Sequence, residues 1–382
     1  MSAAREKPVL LYLVTEDWYF CSHRLPIARA ARDAGWDVVV ATRVGERGAA
    51  IEREGLRLIP IGMRRRSLGP WREVATVAEL VRIYRRERPD LVHHVAMKPV
   101  LYGSLAARIA RIPAVVNALA GMGYVFSSPR AKARLLRPII RTAFRWLLDG
   151  SNSRLVLQNP DDVAAMTAGT VAGERVVLVR GSGVDAAQFQ PRAEPEGTPV
   201  AVMVSRMLWD KGVGELVEAA RLLRRRDCAL KVVLVGPPDP ENPASIPAGK
   251  LQDWVSSGDL AWWGERADIA EIWANSHIAV LPTTYGEGVP KSLLEAAACG
   301  RPIVATDTTG CREVVQDGVT GLLVPPRDAA KLADALERLA LNADLRRRMG
   351  RAARELVERE LSEDVVVART MALYRSLVPG AP

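Results

Sequence analysis

The chain has 382 residues, 48% of them hydrophobic and 25% charged, with a formal net charge of +9. That composition excludes a disordered or fibrous chain, and the length makes two globular domains the expectation. No run approaches the ~18 apolar residues of a membrane span, and the four scattered cysteines, Cys21, Cys228, Cys299 and Cys311, lack CxxC spacing, which argues for a reducing compartment and against a thiolate metal site.

In chain order, the apolar run Val9 to Val14 is too short for a secretory core and reads as a first strand. Strands predicted at 8–14, 36–41, 56–61, 90–95, 113–119, 153–158 and 176–179 alternate with amphipathic helices, for example Ser22 to Ala34 and Trp71 to Arg86. Strands separated by helices imply a parallel, doubly wound sheet. The segment RGSGVDAAQFQPRAEPEGTP (180–199) then interrupts the pattern with Gly, Pro and Glu, as a linker does. A second series follows at 199–205, 231–235, 260–263, 277–281, 301–305 and 321–324, and the C-terminal stretch reads as two or three polar helices. The expected fold class is α/β, with two doubly wound Rossmann-like domains at 1–190 and 191–365 and a helix at 366–382 that can pack back on the first. Two such domains facing each other make a cleft lined by the carboxyl ends of their strands.

The charge is unevenly held. Residues 1–190 contain 29 Lys/Arg and 17 Asp/Glu, a balance of +12, and residues 191–382 contain the other 24 and 27, a balance of −3. A basic half attracts nucleic acid, anionic lipid or a phosphorylated substrate, and no nucleic-acid recognition motif is present. Residues 129–148, PRAKARLLRPIIRTAFRWLL, put Arg134, Arg137, Arg141 and Arg145 on one helical stripe, with Leu136, Ile140, Ala143 and Leu147 away from it. The pattern fits a helix lying in an anionic membrane interface, and also one packed on the domain with its arginines solvated.

The stretch YGEGVPKSLLEAAACGRPIVAT (285–306) reads as loop, helix and short buried strand, the helix starting at Val289 with Gly288 as cap and Pro290 in its first turn, and stopping at Gly300. Glu287 and Glu295 then stand roughly 12 Å apart along the helix axis. That is wider than the ~5–9.5 Å between two carboxyls acting on one glycosidic bond. It suits two hydroxyl-bearing ends of one extended ligand with an anion at the helix amino end; two solvated glutamates are the alternative. In VAVMVSRMLWDKGVGELVEAA (200–220), Arg206 follows a strand, Asp210 is a candidate cap and Lys211 starts a helix. Two cations beside a helix amino end can grip a diphosphate, although an exposed Lys is common. GMG (121–123) is a flexible loop, His93 and His94 end a strand, and His23 reads as structural. Of Trp262 and Trp263, which precede Gly264, one is expected in the core and one beside a base. P-loop, HExxH, GxSxG and zinc spacings do not occur.

Together, SRMLWDKG (205–212), EGVPKSLLE (287–295) and GVDAAQF (183–189) resemble the family 4 glycosyltransferases, which have the GT-B fold, and the resemblance runs over nearly the whole chain. VTEDWYFCSHRLPIA, KPVLYGSLAARIARIPAVVNALAGMGYVFSS and NPDD are similar to a bacterial subgroup. It contains the undecaprenyl-diphosphate-linked bacillosamine N-acetylgalactosaminyltransferases and related surface-polysaccharide enzymes. The resemblance implies that Arg206 and Lys211 hold the donor diphosphate as leaving group and that Glu287 contacts the donor sugar. It gives the ribose to Glu295, the phosphate to the amides of Gly288 and Val289, and a place beside the donor to Trp263 and Gly264. Many members carry a first-domain histidine where this chain has VVNALAGMG, with Ala120 or a neighbour in its place, and the loop TEDWYF lacks the glycines of some members. His94, Lys98, Asn117, Gly121 and Gly123 are the acceptor-side candidates. The implied reaction moves a hexose or N-acetylhexosamine from a nucleotide-sugar, UDP-linked, to a polyprenyl-diphosphate-linked acceptor, with retention and with neither metal nor cofactor. The implied location is cytoplasmic, peripheral on the inner face of the cytoplasmic membrane. The alternatives are a UDP-sugar 2-epimerase-like enzyme and a non-catalytic sugar-nucleotide-binding scaffold, which the missing histidine would favour.

Overall fold

The computed structural model describes residues 7–64, 69–119, 121, 142–148, 152–286 and 288–382. Its strands are the apolar runs of the sequence, and β1 (Val9–Glu16) is buried at every position. Such runs suit parallel strands covered by helices on both faces. The strands that follow are β2 (Asp37–Arg43), β3 (Arg57–Pro60), β4 (Leu91–Val95), β5 (Ala114–Ala118), β6 (Ser153–Leu157) and β7 (Val176–Leu178). Among the described residues they form one parallel sheet in the order β3-β2-β1-β4-β5-β6-β7. The later strands are β8 (Val200–Val204), β9 (Lys231–Val235), β10 (Ala261–Trp262), β11 (Ile278–Leu281), β12 (Ile303–Thr306) and β13 (Gly321–Val324). Among the described residues they form a second parallel sheet in the order β10-β9-β8-β11-β12-β13.

The chain divides into two compact units, Met1–Ser182 with Asp364–Pro382, and Gly183–Glu363. The expected 190/191 boundary thus falls at 182/183, inside the Gly-rich opening of the 180–199 segment. The last helix, Glu363–Leu377, is not polar all round: Val366, Met371, Tyr374 and Leu377 are buried with Leu10, Tyr12 and Trp36 of the first unit. Its Tyr374 hydroxyl meets that of Tyr12 at 2.9 Å and bonds His93 Nδ1.

Two local expectations change. The helix expected over Ser22 to Ala34 is two helices, Asp17–His23 and Leu25–Asp33, broken at Arg24. Pro26 explains the break, because it has no N–H to give a preceding turn and is tolerated only in a first turn. The TEDWYF segment is not a loop, since β1 runs to Glu16 and a helix starts at Asp17. The Asp17 carboxylate accepts the amides of Gly45 at 2.7 Å and Arg47 at 2.9 Å, so it braces the turn after β2. Among the described residues no helix is long and apolar enough to cross a membrane.

Candidate functional site

In an open parallel sheet, ligands bind beyond the carboxyl ends of the two strands where the order reverses. In the second sheet those strands are β8 and β11. Arg206 leaves β8 here, and residues 282–290 leave β11.

The chain can converge at this point because two positions have no side chain. Gly236, after β9, has φ +132° and approaches β8 so closely that a Cβ would lie 1.9 Å from the Ser205 carbonyl oxygen. Its amide donates to Gly264 O at 2.7 Å, and its carbonyl accepts the Trp262 indole N–H at 2.9 Å. Gly212, at φ +79°, has its Cβ direction 1.9 Å from Pro282 O. Any L-residue there would push the 209–212 turn off the loop after β11. The two segments are also laced by hydrogen bonds: the Thr284 amide, at 2.9 Å, and the Thr283 hydroxyl, at 3.2 Å, both donate to Asp210 O.

This bracing sets the two cations. The Arg206 side chain is 39% exposed and paired with Asp239. Asp239 lies in the loop after β9, which is tied back by Met207 N to Pro237 O at 2.9 Å, Trp209 N to Ala244 O at 2.8 Å and Ile246 N to Met207 O at 2.9 Å. Lys211 closes a short 3-10 turn, Trp209–Lys211, and its ammonium lies 5.9 Å from the Tyr285 ring centroid. The expected Asp210 cap is corrected: Gly212 is the N-cap, the helix is Val213–Arg225, and Asp210 contributes its carbonyl to the loop after β11. Lys211 therefore precedes the helix by two residues.

The helix expected from Val289 is Lys291–Ala298, with Pro290 as N-cap at φ −68° and ψ 122°. A residue before proline is driven to extended backbone, so Val289 cannot be helical. Leu293 and Leu294 both donate to Pro290 O, at 3.1 and 3.2 Å, and Gly288 and Val289, both buried, lie upstream of that first turn. Amides at such an end attract anions. Glu287 lies outside the described residues. Glu295 is half-buried on the helix; burial pushes its carboxyl up to about 7, against the opposing pull of Lys291 and the Trp273 indole. Of the two tryptophans, Trp262 packs on the core while Trp263 stays 45% exposed beside Gly264.

The acceptor-side candidates are differently placed. His94 is fully buried, its Nε2 2.9 Å from the Tyr84 hydroxyl and its Nδ1 2.8 Å from Asn117 Oδ1. Burial lowers the ring pKa to about 4, so it is neutral and donates from Nδ1. Asn117 Oδ1 also accepts the Ser104 hydroxyl at 2.9 Å. Asn117 Nδ2 donates to the Ser153 hydroxyl at 3.4 Å, so every polar side-chain atom of the two residues has a protein partner, and both knit the first sheet to its helices. Lys98 donates to Glu73 at 3.0 Å and to Arg64 O at 2.8 Å. Gly121 has φ +125°, and Gly123 lies outside the described residues. So do Arg134, Arg137 and Arg141 of the expected basic stripe, whereas Arg145 is exposed on the described helix 142–148. The inward residues of that helix are Phe144 and Leu148, not the expected Ala143 and Leu147, because they fill a cluster with Val100, Leu119 and Leu157. Among the described residues no three His, Cys, Asp or Glu side chains gather as metal ligands would.

Sequence reasoning missed Asp239 and Tyr285. Asp239 follows the carboxyl end of β9, a neighbour of β8, and that position was its available signal.

Residues 198–342 match the family described as "Glycosyl transferases group 1", and residues 9–158 match "Glycosyl transferase 4-like". Over 369 residues the chain is 27% identical to the N,N'-diacetylbacillosaminyl-diphospho-undecaprenol alpha-1,3-N-acetylgalactosaminyltransferase of Campylobacter jejuni, covering 93% of this chain and 95% of that protein. Over 301 residues it is 31% identical to the D-inositol 3-phosphate glycosyltransferase of an Arthrobacter species, covering 72% and 69%. In fold it is similar to sucrose-phosphate synthase from Thermosynechococcus elongatus, with a TM-score of 0.79, 20% identity, and coverage of 97% and 99%.

Proposed function

Because the chain belongs to the family 4 glycosyltransferases, we propose that it moves a hexose or N-acetylhexosamine from a UDP-linked donor to a polyprenyl-diphosphate-linked sugar. One observation carries the donor side: Arg206 and Lys211 sit on braced turns at the order reversal of the second sheet, beside the loop that enters the Lys291–Ala298 helix. The similarity to the Campylobacter jejuni enzyme over most of both chains supports the lipid-linked acceptor.

In this reading the bond between the anomeric carbon and the diphosphate breaks with its electron pair on the phosphate. Arg206 and Lys211 neutralise the charge that develops there, which is the term usually largest in such transfers. Asp239 holds one part of the Arg206 guanidinium and so aims the rest at the phosphate. The amides of Gly288 and Val289 meet the same group, ionised Glu295 accepts the ribose hydroxyls, and Glu287 contacts the sugar. The acceptor hydroxyl oxygen takes the anomeric carbon with retention, and its proton passes to the departing diphosphate oxygen. With cations supplied by side chains, the reaction needs no metal. The chain works at the inner face of the cytoplasmic membrane.

The test is transfer from a panel of UDP- and GDP-sugars to a polyprenyl-diphosphate-linked sugar, with the product anomer read by NMR. An α-linked product from an α-linked UDP-sugar is expected, and turnover persists in EDTA. Free UDP formed at the full rate without acceptor, or an inverted product, contradicts the proposal.

A further inference from the structure

Within the first unit, helices Pro70–Glu87 and Met97–Ala110 run side by side, and a groove of about 640 Å³ between them is lined by Val74, Val77, Ala78, Tyr102, Leu105 and Ile109. Its edges are unusually bare for a folded chain: Trp71 is 85% exposed, Val74 62% and Ile109 47%. Contiguous exposed apolar surface of this kind marks a docking site. The rim names the partner. Arg82 and Arg85 line the groove and are exposed, while Glu73, the carboxylate among its described lining residues, is paired with Lys98 at 3.0 Å.

We infer that this groove is where the chain docks on an anionic lipid bilayer, apolar side chains in the acyl boundary and arginines among the headgroups. This deepens the proposed function, since it rests on an acceptor held in a membrane. Both helices follow strands of the first sheet, so their amino ends, joined by Glu73 and Lys98, stand at that sheet's carboxyl edge. Docking here lays both helices along the bilayer surface, with Glu73 and Lys98 at the end nearest the sheet's carboxyl edge and Arg82, Arg85 and Ile109 toward the other.

Flotation of the full chain with phosphatidylglycerol–phosphatidylethanolamine vesicles, against phosphatidylcholine vesicles, decides it. The expected result is recovery with the anionic vesicles only, falling with salt. Trp71→Ala with Val74→Asp and Ile109→Asp should abolish recovery. Arg82→Gln with Arg85→Gln should lower partition about tenfold or more. All five positions are exposed or edge sites, and an unchanged melting temperature confirms that the variants fold. Unchanged partition in both variants overturns the inference, and so does loss of binding only when Arg134, Arg137, Arg141 and Arg145 are made Gln. Equal recovery on neutral vesicles, or no recovery on any, overturns it too. Transfer to a detergent-dispersed polyprenyl-diphosphate sugar tests the proposed reaction separately, so failure of one leaves the other standing.

Discussion

Both sheets carry polar residues at or near the carboxyl ends of their strands, but those residues differ in how far they are exposed. Beyond β8 and β11, Arg206 keeps 39% of its side chain exposed and Lys211 stands over Tyr285, on turns fixed by Gly212 and Thr284. In β4 and β5, His94 and Asn117 close on each other and on Tyr84 and Ser104 with no exposed surface. Position at a strand end nominates a residue for chemistry; whether its side chain is exposed decides whether a ligand can reach it.

The strongest way to break that comparison is to truncate both sides. Lys211→Ala and Arg206→Ala should each lower kcat/KM by roughly 10²–10³-fold, the usual loss for one charge-stabilising group, with the melting temperature unchanged. Near-normal kinetics in both would remove the donor site from the second sheet. His94→Ala should do the reverse: it takes away the Tyr84 hydroxyl's His94 partner and one of the partners of Asn117, costing about 1–3 kcal/mol in urea unfolding, while kcat/KM per folded molecule stays within a few-fold. A collapse of activity with full stability would return His94 to the chemistry. Asp239→Asn sharpens the donor side. It keeps the shape but weakens the aim of Arg206, so a loss of about tenfold is expected, and no loss would make the ion pair incidental.

The smallest expected effects are pH slopes of opposite sign. Glu295 titrates at about 7 when folded against a usual 4.5. Between those values the folded chain holds a proton that the unfolded chain has lost. Its contribution to stability is therefore full below pH 4.5 and is lost as pH rises through 7. His94 titrates at about 4 against a usual 6.5, so the unfolded chain binds the extra proton. That contribution is full above pH 6.5 and is lost as pH falls through 4. Denaturant unfolding of Glu295→Gln and of His94→Ala, each against the parent across this range, should show differences that change with pH in opposite directions. Parallel slopes would mean that the two burials are not as described. The donor KM of the parent should also fall as pH rises through 7, a step absent from Glu295→Gln.

Much of the fold was legible because its signal is local. Runs such as 231–235 and 321–324 are buried strands whose apolar residues say so by themselves, and the strands so read match Lys231–Val235 and Gly321–Val324. Errors of a few residues arose where a single competing preference decides, as with Pro290, which pushes the helix start to Lys291, and Pro26, which splits a helix at Arg24. The positions of Arg206 and Lys211 were readable from strand, turn and helix order. What those side chains meet was not. Arg206 pairs with a carboxylate 33 residues away, and His94 with an amide 23 residues away. Such partners are set by which strands neighbour each other, and no local pattern encodes that. The inward turn of Phe144 and Leu148, in place of the expected Ala143 and Leu147, has the same cause, since the face a short helix turns inward depends on the surface that receives it.

The central claim is that Arg206 and Lys211 hold the donor diphosphate, and calorimetric titration of UDP into the parent, Arg206→Ala and Lys211→Ala tests it without any acceptor, membrane or turnover. Loss of one charge-assisted contact, roughly 1.5–3 kcal/mol, should weaken Kd at least tenfold in each variant. Parent-like UDP affinity in both variants would contradict the claim.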